Sequence, residues 1–285
     1  MNAWVEAARP RTLSAGITPV VVGTAASDRF IVWRFVAALV VGVSIQIGVN
    51  FANDLFDAQR GVDTDARLGP RRAVASGLTS PQRMKIALAL TIAVAAGAGL
   101  ALALATTLWL LAVGLACFGA LLAYSGGPRP YASAGLGEVF VFVFFGLVAT
   151  IGSAYVQDEA IPEAAVAAAL PVGLLAVAIL VVNNLRDIPT DSAAGKKTLA
   201  VRLGESRTRH LFTILAAVVL VGVFFTATVD NDPWPLLGLL CALSPGGARR
   251  TVDRAQGTHL VPALEATSAA QLVLGIGLAV GLWIS

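Results

Sequence analysis

Nine long apolar runs divide this sequence, and they constrain its fold more than any other feature. Each run is at or near the roughly 20 residues that a helix needs to cross the hydrocarbon core of a bilayer. A water-soluble fold is disfavoured, because 57% of the residues are hydrophobic, only 13% are charged and the mean hydropathy is +0.79; too little polar surface remains. We therefore predict an all-α integral membrane protein, a bundle of about nine transmembrane helices. The predicted spans are residues 13–28, 33–53, 84–105, 107–124, 138–156, 164–185, 210–229, 233–247 and 264–284.

Basic residues predict which side of the membrane each loop faces. Every Lys and Arg except Arg29 and Arg34 falls in the N-terminal segment or in the loops after spans two, four, six and eight. By the positive-inside rule these loops and the N-terminus are cytoplasmic. The pI of about 9.2 thus reflects topology and does not indicate nucleic-acid binding. We expect one multi-pass domain, residues 1–285, in the cell membrane.

Polar side chains form a stripe where the second span ends. On a helix, Gln46, Asn50, Asn53, Asp54 and Asp57 fall within about a third of the circumference. Carboxylates at membrane depth are costly, and such a stripe cannot face lipid. We expect it to face the bundle interior or an aqueous cavity.

A second polar segment follows the sixth span. Asn183, Asp187 and Asp191 share one face if the helix continues through Pro189. The spacing Asn183-x-x-x-Asp187 repeats that of Asn53-x-x-x-Asp57, and both segments end even-numbered spans. This repetition suggests duplicated halves of about 1–125 and 126–285.

Carboxylates clustered at a helix C-terminus require a balancing cation. Oxygen ligands from Asp and Asn favour Mg²⁺ or Ca²⁺ over zinc, and a site with few protein ligands and room for phosphate oxygens favours Mg²⁺. Neither His210 nor His259 has ligand partners nearby in sequence. The sequence therefore predicts a Mg²⁺ site.

The loops after both segments are rich in Arg, Lys and Gly, notably residues 60–77 and 195–204. An anion bound through Mg²⁺ needs such cations and free backbone N–H groups. A diphosphate fits, and beside an apolar bundle it implies a diphosphate attached to a lipid tail. Cytoplasmic loops are basic in any case, so the role of each Arg and Lys stays open.

These motifs resemble the UbiA superfamily of intramembrane prenyltransferases, and within it the 1,4-dihydroxy-2-naphthoate polyprenyltransferases of menaquinone synthesis. The likeness spans residues 8 to about 204. Its motifs are Ala8-Arg9-Pro10-Arg11-Thr12, Asn53-Asp54-x-x-Asp57-x-x-x-Gly61-x-Asp63, Gly69-Pro70-x-Arg72-Ala73-Val74-Ala75-Ser76-Gly77, Tyr124-Ser125-Gly126-Gly127-Pro128 running on to Leu136-Gly137-Glu138, and Asn183-Asn184-x-Arg186-Asp187-x-x-x-Asp191-x-x-x-Gly195-Lys196-x-Thr198 running on to Gly204.

Two positions depart from the wider superfamily. Gly61 stands where that pattern often has an Asp, and the Asp comes instead at Asp63, as is typical of the naphthoate branch. Arg129 stands where a Lys often follows the fourth span. The first departure argues against a 4-hydroxybenzoate enzyme.

The resemblance implies a central cavity with both Asp motifs at its cytoplasmic mouth and a lateral opening for a prenyl tail. By carry-over, Asn53, Asp57, Asp187 and Asp191 bind Mg²⁺-diphosphate, supported by Asp54, Asp63 and Asn183. The residues expected to contact the diphosphate are Arg60, Arg72, Lys196 and Arg202, those expected to face the aromatic acid are Arg11 and Gln46, and Tyr124 and Arg129 are further substrate-binding candidates.

The implied reaction is Mg²⁺-dependent transfer of a polyprenyl group from polyprenyl diphosphate to 1,4-dihydroxy-2-naphthoate with decarboxylation, which gives demethylmenaquinone. An alternative enzyme would use another aromatic acceptor, such as 4-hydroxybenzoate. A cation transporter with ion-coordinating Asn and Asp residues is a third reading. It is disfavoured because the carboxylates lie at one face of the membrane and the Gly/Arg loops have no purpose in ion transport.

Overall fold

The computed structural model describes residues 3–62, 71–243 and 248–285, with the backbone alone for residues 248–250. Within these ranges the chain is helical and contains no strand. The helix Leu199–Asp230 is kinked at Gly204. The helices are α1 Ala3–Ala8, α2 Ser14–Ala25, α3 Val32–Gln59, α4 Pro81–Ala105, α5 Trp109–Ser125, α6 Gly137–Asp158, α7 Glu163–Ala193, α8 Leu199–Asp230, α9 Ala248–Arg254 and α10 Val261–Ile284, with 3-10 helices at Pro10–Thr12, Trp234–Leu243 and Gly257–Leu260.

The predicted all-α membrane architecture is confirmed for the described residues. Six helices are long and apolar enough to cross a bilayer: α3, α4, α6, α7, α8 and the segment Gly257–Ile284. The other three predicted spans correspond to the shorter apolar helices α2, α5 and Trp234–Leu243. Nine spans, a cytoplasmic N-terminus and duplicated halves stay predictions.

Two helices run well beyond their apolar segments. Helix α3 continues past residue 53 to Gln59, and α7 continues past residue 185 to Ala193. Helix α7 also passes through Pro171 and Pro189 without ending. Proline is tolerated in such helices where neighbouring groups satisfy the freed backbone acceptors. The extension places Asn183, Asp187 and Asp191 on one helical stripe.

Helix α7 is the centre of the bundle. Of its most apolar window, 78% is buried inside the protein, and it packs against α2, α6, α8 and α10. Small residues permit this close packing. A Cβ at Gly173 would lie 2.8 Å from the Cα of Gly146, so α6 and α7 touch backbone to backbone. Around this contact, residues Phe142–Val148 of α6 form π-helical turns.

Side chains at one end of α6 fasten the connection between α2 and α3. The Asp158 carboxylate accepts hydrogen bonds from the backbone N–H groups of Asp28 (2.9 Å) and Arg29 (3.0 Å). Arg34 pairs with Glu159 at 3.1 Å. This end lies opposite the C-termini of α3 and α7, where the polar stripes are located.

Candidate active site

A cavity of about 980 Å³ lies within the bundle. Its walls are mainly apolar and include Val41, Leu111 and Phe144. Most of its polar lining residues come from α3, from the C-terminal parts of α5 and α7, from the segment before α2 and from the loop before α4, which gives the cavity one polar end. Those polar residues include Arg9, Arg11, Gln46, Asn50, Asn53, Arg71, Tyr124, Asn183 and Arg186.

Asp57 is the centre of a charged cluster near this polar end. Its buried carboxylate accepts a hydrogen bond from Arg60 at 2.8 Å and from the Lys196 ammonium at 3.0 Å. An Nη2 atom of Arg72 lies 3.6 Å away. Because a buried carboxylate is stable only when it is paired, these contacts hold the two segments that carry Arg72 and Lys196 at the end of α3.

Lys196 connects the two acidic segments. Its Nζ lies 3.0 Å from an Asp57 oxygen and 3.6 Å from an Asp191 oxygen. Three cations, Arg60, Arg72 and Lys196, thus face two carboxylates among the described residues. Among the described residues of the cluster the cations outnumber the carboxylates, which suits a polyanion such as a diphosphate.

The two acidic helices end in the same backbone motif. In α3, Gly61 has φ +66° and the Val62 N–H donates to the Asp57 carbonyl at 3.2 Å. In α7, Gly195 has φ +73° and the Lys196 N–H donates to the Asp191 carbonyl at 2.9 Å. A left-handed glycine with this bonding pattern is a Schellman C-cap. The motif turns Lys196 back toward Asp191.

These matching caps give a register for comparing the two segments. Asp57 and Asp191 each precede the capping glycine by four residues, and Asn53 and Asp187 precede those by four more. The sequence spacing alone paired Asp57 with Asp187. By helix ends, Asp57 corresponds to Asp191, one turn further along.

The donor set fits a Mg²⁺ ion. Within the described ranges no group of three or more His, Cys, Asp or Glu could hold a metal by itself. Asp57 and Asp191 nevertheless share one cation, the Lys196 ammonium, and both offer oxygen ligands. Proteins usually bind Mg²⁺ through a few oxygen atoms of their own, and water and substrate supply the remaining ligands.

Asp54 has a different environment from Asp57. Its side chain is 1% exposed, and its two oxygens accept the backbone N–H groups of Ala73 and Val74, each at 2.8 Å. The carboxylate therefore fixes the segment that carries Arg72. This contact gives Asp54 a positioning role toward the cluster around Asp57.

Polar residues deeper on α3 bond to neighbouring segments. Ser125 donates to the Asn53 side-chain oxygen. Gln46 donates to the Thr12 hydroxyl at 3.1 Å, and Asn50 donates to the same hydroxyl at 3.2 Å. The predicted stripe thus faces the bundle interior, where it binds α5 and the segment before α2.

Asp187 is paired within its own helix. Its two oxygens accept hydrogen bonds from Nε and Nη2 of Arg186, both at 2.7 Å. Nη2 of Arg186 also donates to the Asn183 side chain at 2.8 Å. Asn183 and Arg186 both line the cavity.

Aromatic and amide groups complete the polar end. Tyr124 packs edge-on against Tyr131 with centroids 5.4 Å apart, and Tyr131 stacks on Phe140. Asn184 donates to the buried Glu138 at 3.0 Å, which joins α7 to the start of α6. These contacts fix the walls around the Tyr124 ring.

Four predicted residues lie outside the central cluster or outside the described ranges. Arg11 lines the cavity but pairs with Glu265 at 3.0 Å. Arg202 is exposed and donates to the Lys197 carbonyl at 3.0 Å. Arg129 is exposed on the connection between α5 and α6. Asp63 lies outside the described residues.

Sequence reasoning gave no role to Thr12, Ser125, Glu138 or Arg186. Each belongs to a motif that carried the resemblance, so a signal was present. A motif does not show which residue each side chain bonds to. Ser125, for example, donates to Asn53, which is 72 residues away in the sequence. Only the packed bundle shows which polar groups meet.

Comparisons with known proteins identify the family of this chain. The model of the UbiA prenyltransferase family matches residues 16–264. A 1,4-dihydroxy-2-naphthoate octaprenyltransferase from Mycobacterium tuberculosis is 45% identical over 97% of this chain and 95% of its own length. The Escherichia coli protein of the same name is 35% identical over 100% of this chain and 96% of its own.

A solved structure shares the fold. The UbiA homolog from Archaeoglobus fulgidus, bound to GPP and Mg²⁺, superposes with a TM-score of 0.71 at 16% identity, covering 99% of this chain and 100% of that one. The resemblance read from the motifs is confirmed by the family match across most of the sequence. The chain belongs to the UbiA prenyltransferase family.

Proposed function

We propose that this prenyltransferase transfers a polyprenyl group from polyprenyl diphosphate to 1,4-dihydroxy-2-naphthoate, with loss of the ring carboxylate, and so forms demethylmenaquinone. The observation that carries the proposal is the contact of Asp57 and Asp191 with Lys196 beside the polar end of an apolar cavity. Relatives named for the naphthoate reaction support the choice of acceptor.

The charged cluster binds the diphosphate in this proposal. Arg60, Arg72 and Lys196 contact its oxygens, and Asp57 keeps the three cations together before substrate arrives. The residues that would hold Mg²⁺ are Asn53, Asp57, Asp187 and Asp191. When bound there, Mg²⁺ supplies positive charge that stabilises the departing diphosphate.

The apolar part of the cavity protects the reacting carbon. As the bond to diphosphate breaks, the allylic carbon becomes cation-like, and water would capture it. Phe118, Phe144 and Phe145 line the cavity and exclude water. Their ring faces also stabilise a neighbouring cation.

The ring carbon that bears the carboxylate attacks the allylic carbon. A carbon–carbon bond forms, the adjacent hydroxyl loses its proton, and the product is a β-keto carboxylate. Carbon dioxide then leaves, its bonding electron pair returns to the ring, and the oxygen takes up a proton. The result is a prenylated naphthoquinol, carbon dioxide and diphosphate.

The remaining proposals concern the setting. We place the protein in the cell membrane with its N-terminus and the Asp57 cluster on the cytoplasmic side, since the basic loops adjoin that cluster. The family assignment removes the transporter alternative. The identity of the aromatic acceptor is the point that an experiment must decide.

The test uses purified protein in detergent with Mg²⁺, radiolabelled polyprenyl diphosphate and 1,4-dihydroxy-2-naphthoate. Parallel reactions contain EDTA or replace the naphthoate by 4-hydroxybenzoate. We expect a prenylated, decarboxylated product that requires both Mg²⁺ and the naphthoate. Product from 4-hydroxybenzoate alone would overturn the acceptor, and full turnover in EDTA would overturn the metal.

A further inference from the structure

We propose that Arg186 binds the carboxylate of the aromatic acceptor and so determines that the acceptor is an acid. The inference rests on the proposed function, because it names a contact to that reaction's second substrate. It is carried by the position of one buried guanidinium.

Arg186 is buried and held in one orientation. The residue is 2% exposed. Asp187 accepts from its Nε and Nη2 atoms, both at 2.7 Å, and Asn183 accepts from Nη2 at 2.8 Å. A planar guanidinium with these bonds has little remaining freedom, so any group that it binds meets a prearranged donor.

One edge of the guanidinium remains available. Its Nη1 atom makes no hydrogen bond to any residue in the described ranges, although Arg186 is part of the cavity lining. Nη1 carries two N–H donors. A ligand in the cavity that carries an acceptor group can therefore bond to these donors without displacing the Asp187 or Asn183 contacts.

The guanidinium lies away from the pair of carboxylates that share Lys196, although its partner Asp187 is one of the residues that would hold Mg²⁺. Its bond to Asn183, three residues earlier in α7, shows that the side chain runs toward the helix N-terminus. Asp191 and Lys196 lie at the opposite, C-terminal end. Five residues of helix separate Arg186 from Asp191, an axial distance of about 7 Å. Arg186 is therefore deeper in the cavity than the carboxylates that share Lys196.

A carboxylate is the anion that fits this depth. The diphosphate already has Arg60, Arg72 and Lys196 at the mouth, whereas the described cavity beyond them is largely apolar. An aromatic acid that enters such a cavity must have its charge paired, because an unpaired buried carboxylate is very costly. An acid bound to Arg186 would lie below the diphosphate, with its ring toward the allylic carbon.

The experiment measures how removal of the ligand's carboxylate and replacement of Arg186 each change the binding affinity. Binding of 1-hydroxy-2-naphthoate and of 1-naphthol, which lacks the carboxylate, is measured by fluorescence with purified full-length protein, after subtraction of partition into empty micelles. Arg186→Lys retains the charge but lacks the planar fork. Arg207→Lys, at an exposed position of α8, is the matched control.

We expect the unchanged protein and Arg207→Lys to bind the acid at least tenfold more tightly than the naphthol, as a charged hydrogen bond allows. In Arg186→Lys this preference should fall to about twofold. The KM for dihydroxynaphthoate should rise about 10- to 100-fold in this variant, with the KM for polyprenyl diphosphate within about twofold of the original.

Three results would overturn the inference: equal binding of acid and naphthol by the unchanged protein, an acid preference retained in Arg186→Lys, or a rise only in the KM for polyprenyl diphosphate, which would make Arg186 a diphosphate ligand. The first of these results overturns the inference even if the variant does not fold. Failure of the proposed function is distinct, since the unchanged protein would then make no product from dihydroxynaphthoate.

Discussion

The ammonium nitrogen of Lys196 lies 3.0 Å from a carboxylate oxygen of Asp57, although 139 residues separate the two in sequence. The same nitrogen lies 3.6 Å from Asp191. One cation therefore joins the ends of α3 and α7. The binding site depends on the relative position of these two helices.

Replacing Lys196 tests whether this cation contacts the diphosphate. Lys196→Gln should raise the KM for polyprenyl diphosphate about tenfold or more, because a charge-assisted hydrogen bond is lost. Steady-state kinetics at saturating acceptor measures it. The neighbouring Lys197 is exposed, and its backbone N–H bonds to Ser133; Lys197→Gln should leave the KM unchanged. Equal effects of both substitutions would show only a general charge effect.

Replacing Asp57 should lower kcat/KM more than replacing any one of its three cationic partners. Asp57→Asn keeps the shape but removes the charge that holds Arg60, Arg72 and Lys196, so kcat/KM should fall by roughly 100-fold or more. Asp28→Asn makes the same chemical change at an exposed position of the opposite end and serves as control. Gel filtration in detergent establishes that both variants are folded. Normal turnover by Asp57→Asn would contradict the metal and diphosphate assignment.

Asp54 should affect the binding of polyprenyl diphosphate, because it positions the segment that carries Arg72. Asp54→Asn weakens two buried hydrogen bonds to Ala73 and Val74, and the free energy of unfolding should fall by about 2–4 kcal/mol. The KM for polyprenyl diphosphate should rise as well. Thermal unfolding and kinetics provide the two measurements.

The matched control for Asp54 is Asp158, which accepts two backbone N–H groups at the other end of the bundle. Asp158→Asn should lower stability less, because its two hydrogen bonds are exposed to solvent, and the folded fraction should keep its original KM. A raised KM in both variants would mean that stability alone explains the effect.

The contact between Gly146 and Gly173 predicts a packing defect. In Gly173→Ala the new methyl group would lie 2.8 Å from backbone at Gly146, so α6 and α7 must separate, at a cost of about 1–3 kcal/mol. Gly97→Ala is the control, because a Cβ there has nothing within 4 Å. It should be neutral, or stabilising by up to about 1 kcal/mol. Thermal unfolding in one detergent compares them, and an unchanged midpoint for Gly173→Ala would contradict the close packing.

Hydropathy located the helices but not their functional ends. The sixth predicted span stopped at residue 185, whereas α7 continues to Ala193. The pattern ends where charges begin, yet the helix persists because Arg186 and Asp187 are buried and bonded to each other. Pairing of this kind depends on side-chain positions that a hydropathy window does not contain.

The polar motifs likewise identified the residues of the candidate site but did not show what each residue does there. Asp54 and Asp57 both lie on the predicted stripe, but one bonds to backbone N–H groups and the other to cations. The difference arises because Asp54 meets the loop before α4, 19 residues along the chain, whereas Asp57 also meets the loop after α7, 139 residues away. Spacing on a single helix cannot distinguish these environments.

The central location of α7 has a consequence for biosynthesis. The ribosome completes this helix before it makes α8 and α10, two of the helices that cover it in the finished bundle. During that interval lipid occupies the faces of α7 that later contact α8 and α10, and Gly222 of α8 then allows that helix to approach Pro171 of α7 closely. A nascent chain that stopped before α10 would leave the core helix facing the bilayer, where membrane quality control could recognise it.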